Sequence, residues 1–202
     1  GTETLRYSFV AAAYNERGIL KRDKSYDWDP TIKLQRYNVR SNVDLKLSPT
    51  TQLRFNIGGY LQDRNSTTKD ISQIFQKAFV AVPHAFPAQY SSGQIPTTEE
   101  PNVWAWATQS GYKRRSDSKI ETLFSVEQDL KFLLLGLKIK GTFSFDRFSS
   151  GTVSRGKTPD YYVPATGRDD EGNLIIASKS NGTNFLDYSK SGDYGNKSVY
   201  ME

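Results

Sequence analysis

The sequence predicts an all-β fold, namely an antiparallel segment of a transmembrane β-barrel. We expect about six or seven long strands of a larger barrel, with one short helix in a long extracellular loop. Three observations predict this fold. Several segments alternate apolar and charged residues over long stretches, neighbouring segments are joined in pairs by very short turns, and each segment has membrane length. Ordinary strands run about 5–6 residues, whereas a tilted strand that crosses a bilayer needs roughly 9–11.

The first part of the chain contains three predicted strands, at about 4–14, 34–47 and 52–63. Each has a period of two, with apolar residues on one face and polar or charged residues on the other. Gly58 and Gly59 lie inside the third strand. Glycine in the interior of a strand indicates a bulge, a bend or a close approach of neighbouring backbones.

A long insertion is predicted at about 64–118, and it begins with a helix at about 70–82. Asp70 is the expected N-cap, and Pro83 is expected to end the helix. Apolar residues recur there at three- and four-residue spacing, which is the helical pattern. They are Ile71, Ile74, Phe75, Ala78, Phe79 and Val82.

Further strands are predicted at about 119–131, 137–147 and 198–202, with a loop at 149–197. This loop is predicted to contain a hairpin between residues 161–163 and 174–176. Along the whole chain the connections alternate between long and short. Transmembrane barrels have this asymmetry, with short periplasmic turns and long extracellular loops.

The two faces of the strands are assigned by their cost in lipid. Arg or Lys at the bilayer midplane costs about 2–4 kcal/mol on the lipid face of a barrel, so the apolar face is expected to contact lipid and the charged face to line the lumen. The predicted lipid-facing residues are Tyr37, Val43, Phe55, Ile57, Phe124, Ile139 and Phe143. The predicted lumen-facing residues are Arg36, Arg40, Asp44, Arg54, Glu121, Glu127, Lys138 and Lys140.

Composition excludes several classes of site and partner. The chain has no Cys and a single His, His84, so it has neither a disulfide framework nor a thiolate metal site. The net charge is +5, but the basic residues are spread among acidic ones, which argues against a nucleic-acid partner. No apolar run is long enough for a spanning helix, and the strand-like N-terminal residues are not expected to be a signal peptide. Because both ends look like strands, we expect an interior piece of a longer chain.

Extended phrases of the sequence resemble one family. They are GTETLRYSFVAAAYNERGI, RYNVRSNVDLKLSPTTQLRFNIGGYLQDRN, DISQIFQKAF, SKIETLFSVEQDLKF, GLKIKGTFSFDRF, PDYYVPATGRDDEGNLI and NKSVYME. They cover essentially the whole chain in order and resemble the SusC/RagA family of TonB-dependent outer-membrane transporters. The resemblance implies a barrel of about 22 strands with an N-terminal plug. It also implies a SusD-like surface lipoprotein as partner, energy supplied through TonB, and import of glycan oligosaccharides or peptides.

Aromatic residues of the long insertion are the candidates for substrate contact, because rings stack on sugar faces. They are Trp104, Trp106 and Tyr112. The alternative is that they pack within the loop or against the partner lipoprotein. No other constellation suggests chemistry, so we expect no enzymatic activity, no cofactor and no metal.

Two acidic groups have structural alternatives. Asp169, Asp170, Glu171 and Asn173 crowd a turn and carry Ca²⁺-type oxygen ligands, but Asp-rich turns are common for backbone reasons. Glu121, Glu127 and Asp129 share one strand face with lysines, which favours a charge network over a glycosidase acid/base pair. The alternative to the transporter is a soluble carbohydrate-binding β-sandwich, in which two apolar faces meet in one core.

Overall fold

The computed structural model describes residues 1–82 and 84–202, except for the side chains of residues 164–166, 178, 179 and 193. The fold is mostly antiparallel β-sheet, which confirms the predicted all-β class. The strands are β1 (Leu5–Arg17), β2 (Lys33–Ser48), β3 (Thr51–Thr67), β4 (Ile95–Pro96), β5 (Gly111–Asp129), β6 (Lys138–Gly156), β7 (Tyr161–Arg168), β8 (Leu174–Ser180) and β9 (Asp187–Met201). The helices are α1 (Ile71–Val80) and α2 (Val103–Thr108).

Six strands form one large sheet in the order β1-β2-β3-β5-β6-β9, and every neighbouring pair is antiparallel. These strands are 13 to 19 residues long, well above the length of an ordinary strand. The sheet is open, with β1 and β9 at its two edges. Its strands are therefore long enough to cross a bilayer, as the alternation predicts.

The long and short connections lie at opposite ends of the large sheet. Two short connections, Pro49–Thr50 and residues 130–137, lie at what we call the turn end. Three long connections, residues 18–32, 68–110 and 157–186, lie at what we call the loop end. This confirms the predicted alternation, because antiparallel neighbours place every second connection at the same end.

Most strands run further toward the loop end than the sequence indicates. β3 and β5 stay paired as far as Thr67 and Tyr112, so the predicted insertion at 64–118 is shortened to 68–110. The apolar alternation stops earlier than the strands do, because both faces are polar near the loop end. Ladder hydrogen bonds use backbone groups, so pairing continues where the side-chain pattern has ended.

The predicted bounds are also wrong at the C-terminal strands. The predicted strand 137–147 is β6, which continues to Gly156. The predicted strand 198–202 is only the end of β9, which begins at Asp187. The predicted loop 149–197 is therefore largely strand, and its loop proper is residues 157–186. The predicted strand 119–131 is β5, which begins earlier, at Gly111, and ends two residues earlier, at Asp129.

The loop end contains two helices rather than the one predicted. α1 has the predicted N-cap, since the Asp70 carboxylate accepts a hydrogen bond from the backbone N–H of Gln73 at 3.1 Å. The helix ends at Val80, two residues before the predicted end at 82, and Pro83 lies outside the described residues. α2 begins after Asn102, whose side chain accepts from the N–H of Ala105. Its six residues are too few to show the longer apolar period that identifies a helix.

A second, small sheet completes the loop end. β7 and β8 form the predicted hairpin, with Val163 opposite Ala177. β4 adds to β7 in parallel, with Ile95 opposite Tyr161. We call α1, α2 and this small sheet the cap. The buried hydrophobic residues of the described chain belong to the cap, and they are Ile74, Ile95, Ala105 and Ala107.

Gly58 and Gly59 occupy the middle of β3 without breaking the ladder. Gly58 pairs with Arg40 and Glu121, and Gly59 pairs with Val39 and Ile120, so no bulge is present. A Cβ at position 59 would collide with the carbonyl oxygen of Lys119 on the neighbouring strand. A Cβ at position 58 would meet only ordinary contacts, the nearest 3.7 Å away. Gly59 therefore allows the close backbone approach that glycine in a strand indicates.

We expect Gly59→Ala to lower the free energy of unfolding by about 1–3 kcal/mol, because the added methyl group overpacks the β3–β5 ladder. Gly58→Ala is the matched control. It should leave the free energy of unfolding unchanged or raise it by about 0.4–1 kcal/mol, since alanine restricts the unfolded chain. Urea unfolding, followed by tryptophan fluorescence, measures both. Equal effects of the two substitutions would contradict the close approach at Gly59.

Candidate functional site

The large sheet has one apolar face and one charged face. All seven residues predicted to face lipid share one side, because directly paired residues of neighbouring strands point the same way. One row across the sheet places Val43, Phe55, Phe124 and Phe143 side by side. All eight residues predicted to line the lumen lie on the opposite side.

The apolar face is uncovered. Among the described residues, six of the seven predicted lipid-facing side chains are exposed, from 38% at Phe143 to 58% at Ile139. The seventh, Val43, is half-buried between its row neighbours. Monomeric soluble proteins rarely expose a contiguous apolar patch of this extent. This face is therefore a surface that requires an apolar partner or solvent.

The apolar face is a band of limited height. In β2 its outward residues run from Tyr37 to Leu45, which spans about 26 Å at about 3.3 Å per residue. The lipid-facing band of a transmembrane barrel is roughly 25 Å tall. The next outward row toward the loop end is Gln35 opposite Asp63, which is polar. The band thus ends while the strands continue.

The charged face carries compensated pairs of opposite charge. Lys119 forms an ion pair with Glu121, Lys138 Nζ lies 3.3 Å from Glu127 Oε1, and Arg54 Nε lies 3.9 Å from Asp44 Oδ1. Two further contacts involve Arg36, whose guanidinium lies 4.0 Å from the ring centroid of Tyr60 and donates from Nε to the Asn38 amide oxygen at 2.9 Å. Exposed pairs of this kind contribute little stability, about 0–1 kcal/mol each. They form a polar surface suited to water or a polar occupant.

Two clefts adjoin on the charged face at Gly58. They have volumes of about 480 and 440 Å³, and Arg40 and Glu121 line both. Arg40 and Glu121 are the direct cross-strand partners of Gly58, so the missing side chain leaves a depression between a cation and an anion. Sequence reasoning identified both charged residues but not the depression, which depends on the alignment of three strands.

The three predicted substrate-contact residues do not form one cluster. Trp104 and Trp106 lie on α2, whereas Tyr112 lies at the start of β5. In the described part of the chain no ring of the three contacts another of the three. Trp106 instead lies 5.4 Å from the Lys69 ammonium, and the Trp104 indole N–H is buried without a hydrogen-bond acceptor.

Tyr112 belongs to an aromatic stack that sequence reasoning missed. Its ring centroid lies 6.3 Å from that of Trp28, which in turn lies 5.0 Å from that of Tyr26. The ammonium of Lys157 lies 4.6 Å from the Tyr26 ring. Tyr26 and Trp28 lie in the connection 18–32, so only the pairing of distant segments brings them to Tyr112. The two aromatic residues in Tyr26-Asp27-Trp28 were the only feature of the sequence that could have indicated this stack.

The connection 18–32 is fastened to the sheet and to the cap. The Asn65 side chain donates to the carbonyl oxygens of Asp29 and Thr31 at 2.9 and 2.7 Å. The Gln109 side chain, just after α2, donates to Asp23 Oδ2 at 2.9 Å. These bonds hold the aromatic stack in place.

Asp29 is the most strongly perturbed carboxyl of this connection. Partial burial acts to raise its pKa, but hydrogen bonds from Lys33 Nζ and from the hydroxyl and N–H of Thr31 lower the pKa to about 2. A lowered pKa favours the folded state at pH values above the ordinary value of 3.8. This stabilisation is lost as the pH falls through about 2.

An apolar cleft of about 370 Å³ lies at the edge of the cap, behind α1. Val80, Phe86 and Pro101 contribute to its lining, and Lys77 Nζ forms an ion pair with Glu100 Oε2 at 2.6 Å at its rim. The exposed rings and methyl groups beside it suit a small apolar group.

The acidic turn between β7 and β8 is organised by backbone hydrogen bonds. Asp169 Oδ1 accepts from the N–H groups of Glu171 and Asn173 at 3.1 and 2.7 Å. The carboxylate thus serves the turn itself, which is the structural alternative for this acidic group. Across the described residues no group of three or more His, Cys, Asp or Glu side chains is placed to hold a metal ion. Nor is any helix in that same part of the chain both long and apolar enough to span a bilayer.

Comparison of the chain with protein-family models, with curated proteins and with solved structures finds no significant match.

We expect Lys33→Gln to raise the Asp29 titration midpoint from about 2 toward 3.8, because the substitution removes the ammonium donor and its charge. NMR titration of the aspartate carboxyl carbons measures the midpoint. Lys24→Gln, an exposed change in the same connection, is the control and should leave it in place. An unchanged midpoint in Lys33→Gln would contradict the assigned cause.

Proposed function

We propose that this chain is part of the barrel wall of a TonB-dependent outer-membrane importer of the SusC/RagA type. In this proposal the chain lies in the outer membrane of a Gram-negative cell. The importer takes up glycan oligosaccharides or peptides together with a SusD-like lipoprotein. The apolar band faces lipid, the charged face lines the lumen, and the loop end with its cap is extracellular.

The observation that carries this proposal is the uncovered apolar band. It crosses all six strands of the large sheet in register, and polar rows replace it toward the loop end. In β2 it runs from Tyr37 to Leu45, which is the roughly 9–11 residues that a tilted strand needs to cross a bilayer. Water is a poor solvent for such a face, whereas hydrocarbon is a good one. A water-filled lumen needs a polar lining, and the charged face on the opposite side of the sheet has this character.

The sorted connections support the orientation. Barrels of the outer membrane keep short turns on the periplasmic side and long loops outside. The long connections carry the cap and the aromatic stack at one end, and Pro49–Thr50 and residues 130–137 are short at the other. The loop end is therefore assigned to the cell exterior, where a substrate would first be met.

The soluble β-sandwich alternative is disfavoured by the same face. A sandwich packs two apolar sheet faces together about 10 Å apart. In the described residues no second sheet covers the band, and the small sheet packs in the cap. The alternative retains the aromatic residues as possible sugar contacts but leaves the band without a partner.

The absence of cysteine allows a direct test with single cysteines carrying an environment-sensitive fluorophore. In lipid vesicles, labels at Ile57→Cys and Phe143→Cys should be quenched by spin-labelled lipid and protected from aqueous iodide. Labels at the adjacent Asn56→Cys and Ser144→Cys should behave in the opposite way, because neighbouring residues of a strand face opposite sides. Iodide quenching that does not alternate would contradict the proposal.

Import is tested separately in a Gram-negative host that produces the transporter containing this chain. Uptake of oligosaccharide, or of peptide, should require both TonB and the surface lipoprotein. Uptake that persists without TonB would overturn the importer assignment while leaving the membrane orientation of the wall intact.

A further inference from the structure

Two cations face each other at the loop-end border of the apolar band. Arg147 of β6 is the direct cross-strand partner of Lys197 of β9. One row closer to the middle of the band, Phe145 is opposite Val199. Arg147 is also opposite Ile120 of β5, which places it on the apolar face. The pair therefore lies on the outward side of the sheet, where the band ends on these strands.

This arrangement is unfavourable as it stands. Like charges directly opposite each other on neighbouring strands are destabilising. Both side chains are exposed, and within the described part of the chain neither has a carboxylate partner. Asp146, the acid next in sequence, points to the charged face, opposite Glu121 and Ser198. On the charged face, by contrast, several basic side chains have an acidic neighbour.

The surroundings of the pair are apolar on one side and polar on the other. The Lys197 ammonium lies 5.7 Å from the ring centroid of Phe145, so it stays close to the band. Toward the loop end the next row on this face holds Ser149 and Gly195, which add no charge. Further out the same face carries Arg155, 5.0 Å from the Tyr188 ring, and Arg114, 5.2 Å from the Tyr112 ring. From the band toward the loop end, this face thus carries apolar rows, then a cationic row, then cations beside aromatic rings. Basic and aromatic residues follow an apolar surface in the same order at a membrane–water interface.

We propose that Arg147 and Lys197 bind the phosphate group of an anionic lipid in the leaflet at the loop end, and this inference rests on the proposed function. A phosphate between the two side chains accepts from the guanidinium fork and from the ammonium, and so neutralises their repulsion. The acyl chains of the same lipid lie along Phe145 and Val199. The occupant is a membrane lipid rather than free phosphate, because the pair borders the apolar surface of Phe145 and Val199, which acyl chains cover and free phosphate does not.

The test measures lipid selectivity by electron paramagnetic resonance of spin-labelled lipids in vesicles containing the chain. Phosphatidylglycerol is the anionic probe and phosphatidylcholine the zwitterionic one. We expect the motionally restricted component to favour phosphatidylglycerol by at least about fivefold, because a single cation near the surface attracts an anionic lipid by about that factor. In the double variant Arg147→Gln/Lys197→Gln the preference should fall to near onefold.

Control variants separate this site from net charge. Arg40→Gln/Lys140→Gln removes the same two charges from the charged face and should keep the preference. Arg147→Lys keeps the cation and should retain most of it. Added inorganic phosphate should not displace the lipid, whereas displacement would overturn the assignment to a lipid headgroup.

The outcomes also distinguish this inference from the proposed function. A restricted component with both lipids but no preference in the wild-type chain would overturn the lipid site and leave the barrel wall standing. A preference that survives in the double variant would overturn the role of these two residues. If neither lipid shows a restricted component, the apolar band does not face lipid and both proposals fail.

Discussion

Phase between neighbouring strands is the constraint on which this structure depends. The side chains of a strand alternate with a period of two, so a slip of one residue would move a whole apolar set to the charged face. The backbone ladder keeps six strands in phase without a slip in the band. The result is a single row of large apolar residues across the sheet, formed by Tyr7, Val43, Phe55, Phe124, Phe143 and Met201.

The large sheet and the cap are therefore stabilised in different ways. The cap buries apolar residues such as Ile74 and Ile95, and its helices are N-capped by Asp70 and Asn102. The large sheet buries little apolar surface. Its internal stabilisation comes from ladder hydrogen bonds, and its apolar face gains free energy only from contact with an apolar medium. The large sheet therefore has one face that favours an apolar medium and one that favours water.

Long-range polar and aromatic contacts join the connection 18–32 to the large sheet and to the cap. Asn65 holds the backbone of the connection 18–32, Gln109 holds Asp23, and Trp28 lies against Tyr112. The contacts join residues far apart in sequence, so no local pattern indicates them. The sequence pattern identified Tyr112 as an aromatic candidate but not its partner Trp28. It also missed α2, because six residues do not establish a helical period.

We could predict from the sequence which residues share each face, which connections are short, and where α1 begins. These features depend on local spacing, on turn length and on one capping side chain, and all three can be read along the chain. How far each strand continues, which residues stand opposite each other, and which distant segments meet became visible only in the folded structure. Strand pairing uses backbone groups that every residue carries, so the polar ends of β3, β5, β6 and β9 and the facing cations Arg147 and Lys197 appear only once the strands are aligned.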